Sequence, residues 1–411
     1  MDYVEVNADL HLHGLYSGGV SKNMIPRVIG EQAPLKGLGL VGTGDILNGR
    51  WLELVKRDLK SGTEGILEHP NGTKFILQTE VEDNKRVHHI ILVPSFSKVE
   101  ELIEKFKRHV LNLDTDGRPR VHLNGEEIAE ICIESGCLIG PAHAFTPWTA
   151  LFKEYNSLKE CYGKYDKRIY FLELGLSADT DMADRIKDLH RLTFLSNSDA
   201  HSPWPNKMGR EFNRLRVKEI SFKEIEKSLK RENGRKVILN TGLNPKEGKY
   251  HKTRCISCLL FFEPEDAGRY NWKCPNCGKP IKKGVDNRIN ELADLEEGKH
   301  PEHRPSYVHT IPLSEIISLS LGVKNVYSIK VQAKWEEFVK EFGNEIKILL
   351  ETDFKELQKA DAKVAEMIKA FRENRIQYIP GGGGVYGKIL PPGKKPKIEY
   401  YKFRQKCLSD Y

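Results

Sequence analysis

His11 and His13 stand two apart at the end of a run that alternates apolar and polar residues, Val4-Glu5-Val6-Asn7-Ala8-Asp9-Leu10. On an extended segment, residues two apart point to the same side, so both imidazoles can hold one ion. Asp45, Glu80, His89, His143, Asp199 and His201 extend the inventory. Imidazoles and carboxylates are the donors that zinc, manganese or iron take at a catalytic site. Carboxylates can also bridge two ions, and paired ions clamp the attacking and leaving oxygens of a phosphoryl group. A single His-x-His or Asp-x-His says little. The weight lies in the set, because each member follows or opens a strand-like run. His88 adjoins His89, and strand alternation turns it to the opposite side, which makes His89 the expected ligand and His88 a structural residue.

Cysteines supply a second constellation. Cys255-x-x-Cys258 is followed, after fifteen intervening residues, by Cys274-Pro275-Asn276-Cys277-Gly278. Two such knuckles close a tetrahedral four-cysteine zinc site, and four ligands leave no open position, so the expected role is structural. The complete set makes His251 redundant as a ligand. Lys252, Arg254, Arg269 and Lys273 surround the knuckles, interleaved with Phe261, Phe262, Tyr270 and Trp272. Basic groups pair with phosphates and aromatic rings stack on bases, so Lys252, Arg254, Arg269, Tyr270, Trp272 and Lys273 are candidate DNA contacts. The competing reading makes the aromatics the ribbon's own small core, above all Phe261 and Phe262. Cys132, Cys137, Cys161 and Cys407 lack ligand spacing and read as ordinary residues.

Short apolar runs must position these groups. Val4–Leu10 leads to His11, Leu38–Val41 to Asp45, Phe75–Leu77 to Glu80, and His89 opens Ile90–Val93. Leu138–Gly140 leads to His143, Phe171-Leu172 to Glu173, and Phe194-Leu195 to Asn197, Asp199 and His201. Helix-like stretches such as Val99–His109 and Glu126–Glu134 lie between them. Strand alternating with helix predicts an α/β fold with a largely parallel sheet, and reactive residues at strand C-terminal ends predict a barrel with its site at that face. Glu296–Ser306 is polar, holds two prolines and reads as a linker. Ser314 is placed to cap a helix over Glu315–Leu321. Helical spacing of Trp335, Phe338, Val339, Phe342, Leu357, Val364, Ile368 and Phe371 predicts a small helical region. Gly381–Gly384 reads either as a place where backbone approaches DNA or as a flexible link. The expected division is 1–235 catalytic, 236–300 zinc ribbon and 301–411 helical.

The chain has 411 residues, 39% hydrophobic and 30% charged, with a formal net charge of +7. That composition is globular, and its apolar runs are strand-length, which excludes a membrane-spanning helix. The N-terminus has neither a basic start nor an apolar stretch, so the expectation is a cytoplasmic protein with reduced thiols. Between Asn206 and His300 there are 22 Lys/Arg against 14 Asp/Glu, while the rest of the chain is close to neutral. A basic middle beside an acid-containing metal cluster suits a polyanionic substrate.

Asp9-Leu10-His11-Leu12-His13 resembles the opening motif of the polymerase and histidinol phosphatase (PHP) superfamily. The match continues through Thr43-Gly44-Asp45, Glu80, His89, Pro141-Ala142-His143 and Ser198-Asp199-Ala200-His201. The resemblance implies a distorted seven-stranded barrel and a trinuclear metal site. It implies that His11, His13, Glu80 and Asp199 hold one ion, that Glu80, His89 and His143 hold a second, and that Asp45 and His201 help hold a third. Glu80, His143 and Asp199 are then the expected catalytic residues. Two departures bear on the third ion. Gly44-Asp45 places a carboxylate where many members have a histidine, and Ser17-Gly18-Gly19 stands where many have an acid or histidine. A harder ion, Mg²⁺ or Mn²⁺, suits that position beside zinc.

A PHP unit followed by a four-cysteine ribbon and a helical tail resembles the endonuclease Q family over nearly the whole length, including Ser196–His201 and Gly384-Val385-Tyr386-Gly387-Lys388. The resemblance implies a DNA repair endonuclease that cuts 5′ to hypoxanthine, uracil, xanthine or an abasic site. A damaged nucleotide is cheap to unstack, so a flipped-base pocket would confer selectivity. Glu173, Ser177 and Asn197 are pocket candidates, and Glu173 equally suits the orientation of a ligand histidine. Two alternatives stay open: a PHP phosphatase or 3′–5′ exonuclease, and a nucleic-acid-binding zinc-ribbon protein without catalysis. The terminal Gln405-Lys406-Cys407-Leu408-Ser409-Asp410-Tyr411 loosely matches a sliding-clamp-binding pattern without its second aromatic, a match that chance also explains.

Overall fold

Seven strands grow from the seven apolar runs: β1 Val4–Asp9, β2 Leu40–Gly42, β3 Lys74–Glu82, β4 His88–Val93, β5 Leu138–Pro141, β6 Phe171–Glu173 and β7 Thr193–Leu195. The computed structural model describes residues 2–111, 113–390 and 393–401. Two more strands, β8 Phe212–Val217 and β9 Lys236–Gly242, complete a ring. Hydrogen-bonded pairing runs β9-β8-β1-β2-β3-β4-β5. The β6-β7 pair packs against β5 on one side and β9 on the other. The class is mixed α/β, as expected, but the sheet is not largely parallel. β1-β2, β2-β3 and β6-β7 are parallel, whereas β3-β4, β4-β5, β1-β8 and β8-β9 are antiparallel. The short link from Glu82 to His88 is the reason, since a tight connection can only return the chain antiparallel.

Strand alternation splits the interior in two. Val6, Ala8, Leu10, Ile76, Ile90, Leu92 and Leu215 form one cluster inside the ring. Phe75, Leu77, Val81, Ile91 and Val93 face the other way and pack with the surrounding helices. Those helices start where the sequence supplies caps. Asn48 caps Gly49–Asp58, Ser95 caps Phe96–Phe106, and Asn124 with Glu127 makes a reciprocal capping box for Gly125–Glu134.

The segment read as a linker is docked. Arg304 is buried against Asp184 at 2.8 Å, His300 contacts Asp184 at 2.7 Å, and a tenth strand, β10 Ser306–His309, pairs in parallel with β9. So β9 and β10, placed by the sequence in the ribbon and helical units, both join the barrel sheet. The helical region comprises Leu313–Leu321, Ile329–Phe342, Glu345–Leu350, Phe354–Ala360 and Ala362–Arg372 around Phe338, Leu357, Val364 and Ile368. Its first helix begins at Leu313 after Pro312, so Ser314 lies inside it rather than at the cap. One link to the barrel is the buried pair Lys36–Glu345, 2.6 Å apart, and Arg214 on β8 also pairs with Glu351.

Gly381, Gly382 and Gly383 of the four-glycine tract are buried, while Gly384 is exposed. A Cβ on Gly381 would come within 2.2 Å of the Gly248 carbonyl oxygen, and one on Gly382 within 2.5 Å of the Lys252 oxygen. Only glycine lets the tail backbone lie this close to the ribbon's backbone. No described helix is long and apolar enough to cross a membrane.

Candidate metal centre

One end of the ring gathers the site residues. β1, β2, β3, β5, β6 and β7 run toward that end, so residues at or just past their C-terminal ends collect there. β4 runs the other way, so its first residue arrives at the same end. The loops after β1 and β7 are tied together by His13 N donating to Ala200 O at 3.1 Å. Three site residues that are not glycine, Asp45, His143 and Asp199, have positive φ of 44°, 27° and 48°. Such backbone costs energy and persists where the surroundings enforce it, here to aim side chains into the ring mouth.

Glu80 is the centre. Its Oε1 lies 3.0 Å from His88 Nδ1, 3.2 Å from His143 Nε2 and 3.6 Å from His11 Nε2. Its Oε2 lies 3.5 Å from His13 Nε2 and 3.4 Å from Arg118 Nη1. Asp199 Oδ1 stands 3.0 Å from His13 Nε2 and 3.8 Å from both His11 Nε2 and His201 Nδ1. Three overlapping donor groups result: His11, His13 and Glu80; His13, Asp199 and His201; Glu80, His88 and His143. Most of these side chains are sealed, while Asp199, His201 and Arg118 keep about a third of their surface open and mark the mouth.

These residues fit divalent ions. His11 Nε2, His13 Nε2 and Asp199 Oδ1 are buried atoms without a hydrogen-bond partner, all aimed into the cluster. Buried polar atoms are normally paired, so three orphans in one place point to a ligand. The electrostatics agree. Burial pushes the His11 imidazole down, but Glu173, Glu80 and Asp199 outweigh it and raise it to about 9. Burial pushes Glu80 up, yet His88, His11 and His143 hold it well below the usual carboxylate range. The cluster is an anionic cavity that draws cations, and a metal ion takes the place that protons on the imidazoles would otherwise fill.

Two expected ligands are displaced. His89 turns away from Glu80, its Nδ1 2.8 Å from the Tyr162 hydroxyl on the helical side. The register explains this: Glu80 sits opposite Ile90, so the inward residues of β4 are His88, Ile90 and Leu92. His88 faces the cluster in place of His89. Asp45 is likewise not a member of the donor groups. Its Oδ1 lies 3.0 Å from His13 Nδ1, and its Oδ2 accepts from Gly14 N and the Ser17 hydroxyl. With both oxygens engaged it orients His13. His11, His13, Glu80, His143, Asp199 and His201 are brought together as expected.

Glu173 and Asn197 are not exposed to a substrate. Both are fully buried. Glu173 lies 3.0 Å from His11 Nδ1 and accepts from His143 N, and Asn197 Nδ2 donates to it at 2.8 Å. Glu173 holds His11 and His143 in place, and Asn197 braces Glu173. Ser177 is half-buried on the loop after β6. Sequence reasoning missed Arg118, whose loop carries no motif, and Asp9. Burial lifts Asp9 to about 6 against the hydrogen bonds it accepts from Ser198 and Gly209, which fix the loop that carries Asp199. It also missed Trp148, half-exposed beyond His143, with Lys282 of the ribbon 3.6 Å above its ring.

In the ribbon, Arg254–Cys255 pairs antiparallel with Ile281–Lys282. The four sulfurs converge, Cys255 with Cys277 at 3.5 Å and Cys258 with Cys274 at 3.4 Å, and all four are free thiols. Burial opposes ionisation of Cys258, but backbone N–H and neighbouring thiols bring it down to about 6, whereas burial pushes Cys255 and Cys274 up. Two of the four thiols thus ionise readily, and a bound ion would have to draw the protons from the other two. Phe262 packs in the ribbon core and Phe261 is buried beside it. Of the six candidate DNA contacts, Lys252 is paired with Asp286 at 2.6 Å, and Arg254 donates to the Leu259 carbonyl. Tyr270 and Trp272 are half-buried, while Arg269 and Lys273 are exposed.

Comparison with known proteins places this geometry. Residues 312–375 match the family described as the MJ0043 C-terminal domain. The uncharacterized protein MJ0043 of Methanocaldococcus jannaschii is 51% identical over 267 residues, 63% of this chain and 32% of that protein. The chain therefore spans about a third of the length of that relative. The uncharacterized protein YqxK of Bacillus subtilis is 32% identical over 408 residues, 94% of this chain and 100% of that protein. The crystal structure of the lesion-specific endonuclease PfuEndoQ from Pyrococcus furiosus superposes with a TM-score of 0.91 at 50% identity, covering 95% of this chain and 96% of that one. An endonuclease Q complexed with a 27-mer duplex bearing an abasic lesion at its active site gives a TM-score of 0.90 at 49% identity, covering 95% and 97%. Similarity of that degree along both chains of the two solved structures leaves one conclusion, that the chain belongs to the endonuclease Q family.

Proposed function

We propose that this protein is a metal-dependent DNA repair endonuclease that hydrolyses the phosphodiester 5′ to a deaminated base or an abasic site. The observation that carries the reading is the Glu80-centred cluster at an open ring mouth, in a chain half identical to a lesion-specific endonuclease. His11, His13, Glu80, His88, His143, Asp199 and His201 would hold the ions, zinc together with Mg²⁺ or Mn²⁺. Bound there, the ions supply charge neutralisation for a phosphodiester and activation of water. The chain's own groups do the rest. Glu173, Asn197, Asp45 and Asp9 fix the ligands, so little reorganisation is left for the reaction. Arg118, beside Glu80 and open at the mouth, is placed to meet a phosphate.

The four-cysteine ribbon takes one structural zinc through Cys255, Cys258, Cys274 and Cys277. With Arg269, Lys273 and the Lys282–Trp148 stack it forms the basic and aromatic flank along which DNA would lie. Ser177 remains the pocket candidate among the three named from the sequence. Work on cellular DNA fits a cytoplasmic protein. The sliding-clamp pattern at Gln405–Tyr411 lies outside the described residues and stays a proposal from sequence alone.

End-labelled duplexes with one deoxyinosine, one deoxyuridine, one abasic site or no lesion test the reading, with Mg²⁺, Mn²⁺ or chelator present. A single metal-dependent nick just 5′ of the lesion, absent with Asp199→Asn, is the expected result. Equal digestion of all duplexes from their ends would favour an exonuclease. Tight binding without cleavage would favour a binding protein.

A further inference from the structure

On the outer side of β4, away from the Glu80 cluster, lies a second group of metal-binding residues. Asp83, His89 and Cys161 each offer a ligand atom, and these atoms lie within 4.8 Å of one another. All three residues are buried, Asp83 and His89 completely and Cys161 at 3% exposure.

Two of the three ligand atoms are orphans. Asp83 Oδ2 and His89 Nε2 have no hydrogen-bond partner although both are buried. They face each other at 3.5 Å, too long for a good hydrogen bond. It is close to the roughly 3.3 Å separation that two ligands about 2.0–2.1 Å from a tetrahedral ion must have. The remaining polar atom of each residue is already committed. Asp83 Oδ1 accepts from Lys85 N at 2.8 Å and Val87 N at 2.7 Å in the β3-β4 turn. His89 Nδ1 lies 2.8 Å from the Tyr162 hydroxyl. Each side chain is thus held by one atom and presents the other, which is how protein metal ligands are usually oriented. Gly125 closes the site, since a Cβ there would come within 2.6 Å of Cys161 Sγ.

From this geometry we propose that Asp83, His89 and Cys161 bind a zinc ion, distinct from the Glu80-centred ions and from the ribbon zinc. The mixed sulfur, imidazole and carboxylate set suits a borderline-soft ion and not Mg²⁺. A thiolate and a carboxylate balance the ion's charge, so the buried site is neutral when filled. Binding converts the Cys161 thiol to a thiolate, its proton passing to solvent. The ion joins the β3-β4 turn to the helix Leu158–Tyr162 and stiffens the strand that carries His88 into the cluster. The site is independent of the nuclease reading.

Two measurements test it. Crystals of the full chain grown with zinc chloride give an anomalous difference map at the zinc edge, with the ribbon's four-cysteine site as internal standard. A peak between Asp83, His89 and Cys161 is expected, and its absence beside a full ribbon peak overturns the proposal. Elemental analysis of the dialysed full chain, Asp83→Asn and Cys161→Ser gives the stoichiometry. Asp83→Asn keeps the turn through Oδ1 and removes only the ligand oxygen. Each variant should carry one zinc fewer per chain while Cys132→Ser carries the full number; equal zinc in all four proteins overturns the proposal.

Discussion

His88 holds its Nδ1 3.0 Å from Oε1 of Glu80, and this contact settles which of two adjacent histidines faces the ring interior. The pair is diagonal on the antiparallel ladder of β3 and β4, where Glu80 sits opposite Ile90 and His88 opposite Glu82. Glu82 lies 3.1 Å from the other ring nitrogen, so the imidazole is gripped from both sides. Loss of a ligand should cost more than loss of a supporting contact, so His88→Asn should slow cleavage at least about a hundredfold. His89→Asn should leave the cleavage rate within about tenfold, because His89 faces the helices. Single-turnover rates well below the melting temperature, with circular dichroism to confirm folding, separate the two. The opposite ranking would return His89 to the cluster.

Asp45 acts on the site through His13. Its Oδ1 fixes the ring nitrogen that points away from Glu80, at 3.0 Å. Asp45→Asn should therefore weaken metal affinity by about 10–100-fold while leaving the chemistry intact. Metal titrations of cleavage should show a right-shifted curve that reaches a near-normal plateau. A low plateau at saturating metal would mean that Asp45 holds an ion directly.

Periodicity made the seven site-bearing strands legible, because each is a short apolar run that leads to a reactive residue or, in β4, opens on one. Cysteine spacing made the ribbon legible for a similar reason: the knuckle is local. What was not legible depended on contacts across strands. His88 and His89 are equivalent until the β3-β4 register is known, and a one-residue shift exchanges them. Asp45, Glu173 and Asn197 have the side chains of ligands or pocket residues, and only their partners reveal that they orient histidines. The joining of β9 and β10 to the barrel likewise arises from tertiary packing. The glycine tract read as a DNA approach or a flexible link because sequence shows conformational freedom, not the backbone that packs against Gly381 and Gly382.

Lys36 and Glu345 join the barrel to the helical region 309 residues apart in sequence. Both are buried, and Glu345 also accepts from Leu313 N and the Trp335 indole. Removing one partner of a buried pair strands the other charge, so Glu345→Ala should cost about 3–5 kcal/mol. Replacing both partners with apolar residues of similar size, Lys36→Met with Glu345→Leu, should recover much of that loss. Thermal melts of the wild type, the single variant and the double variant make the comparison. A double variant no more stable than Glu345→Ala would mean that the bonds to Leu313 and Trp335 carry the joint.

Glu247 should make the same region lose stability as pH rises through neutrality. It follows β9 in the turn Pro245–Glu247, and its buried Oε1 has no hydrogen-bond partner. Burial, reinforced by the nearby Glu315 carboxylate, lifts it from 4.5 to about 8. A carboxyl raised on folding keeps its proton while the unfolded chain loses it. The folded state then binds more protons, and stability falls as pH rises between about 4.5 and about 8. Below that window both states are protonated and the effect vanishes. Glu247→Gln supplies a permanently neutral group of the same shape, so it should leave the melting temperature unchanged near pH 4.5. At about pH 8.5 it should add stability on the order of 2–4 kcal/mol. Melting curves of the wild type and variant across that range give the difference directly, and parallel curves would show that Glu247 ionises in the folded protein as it does in the unfolded chain.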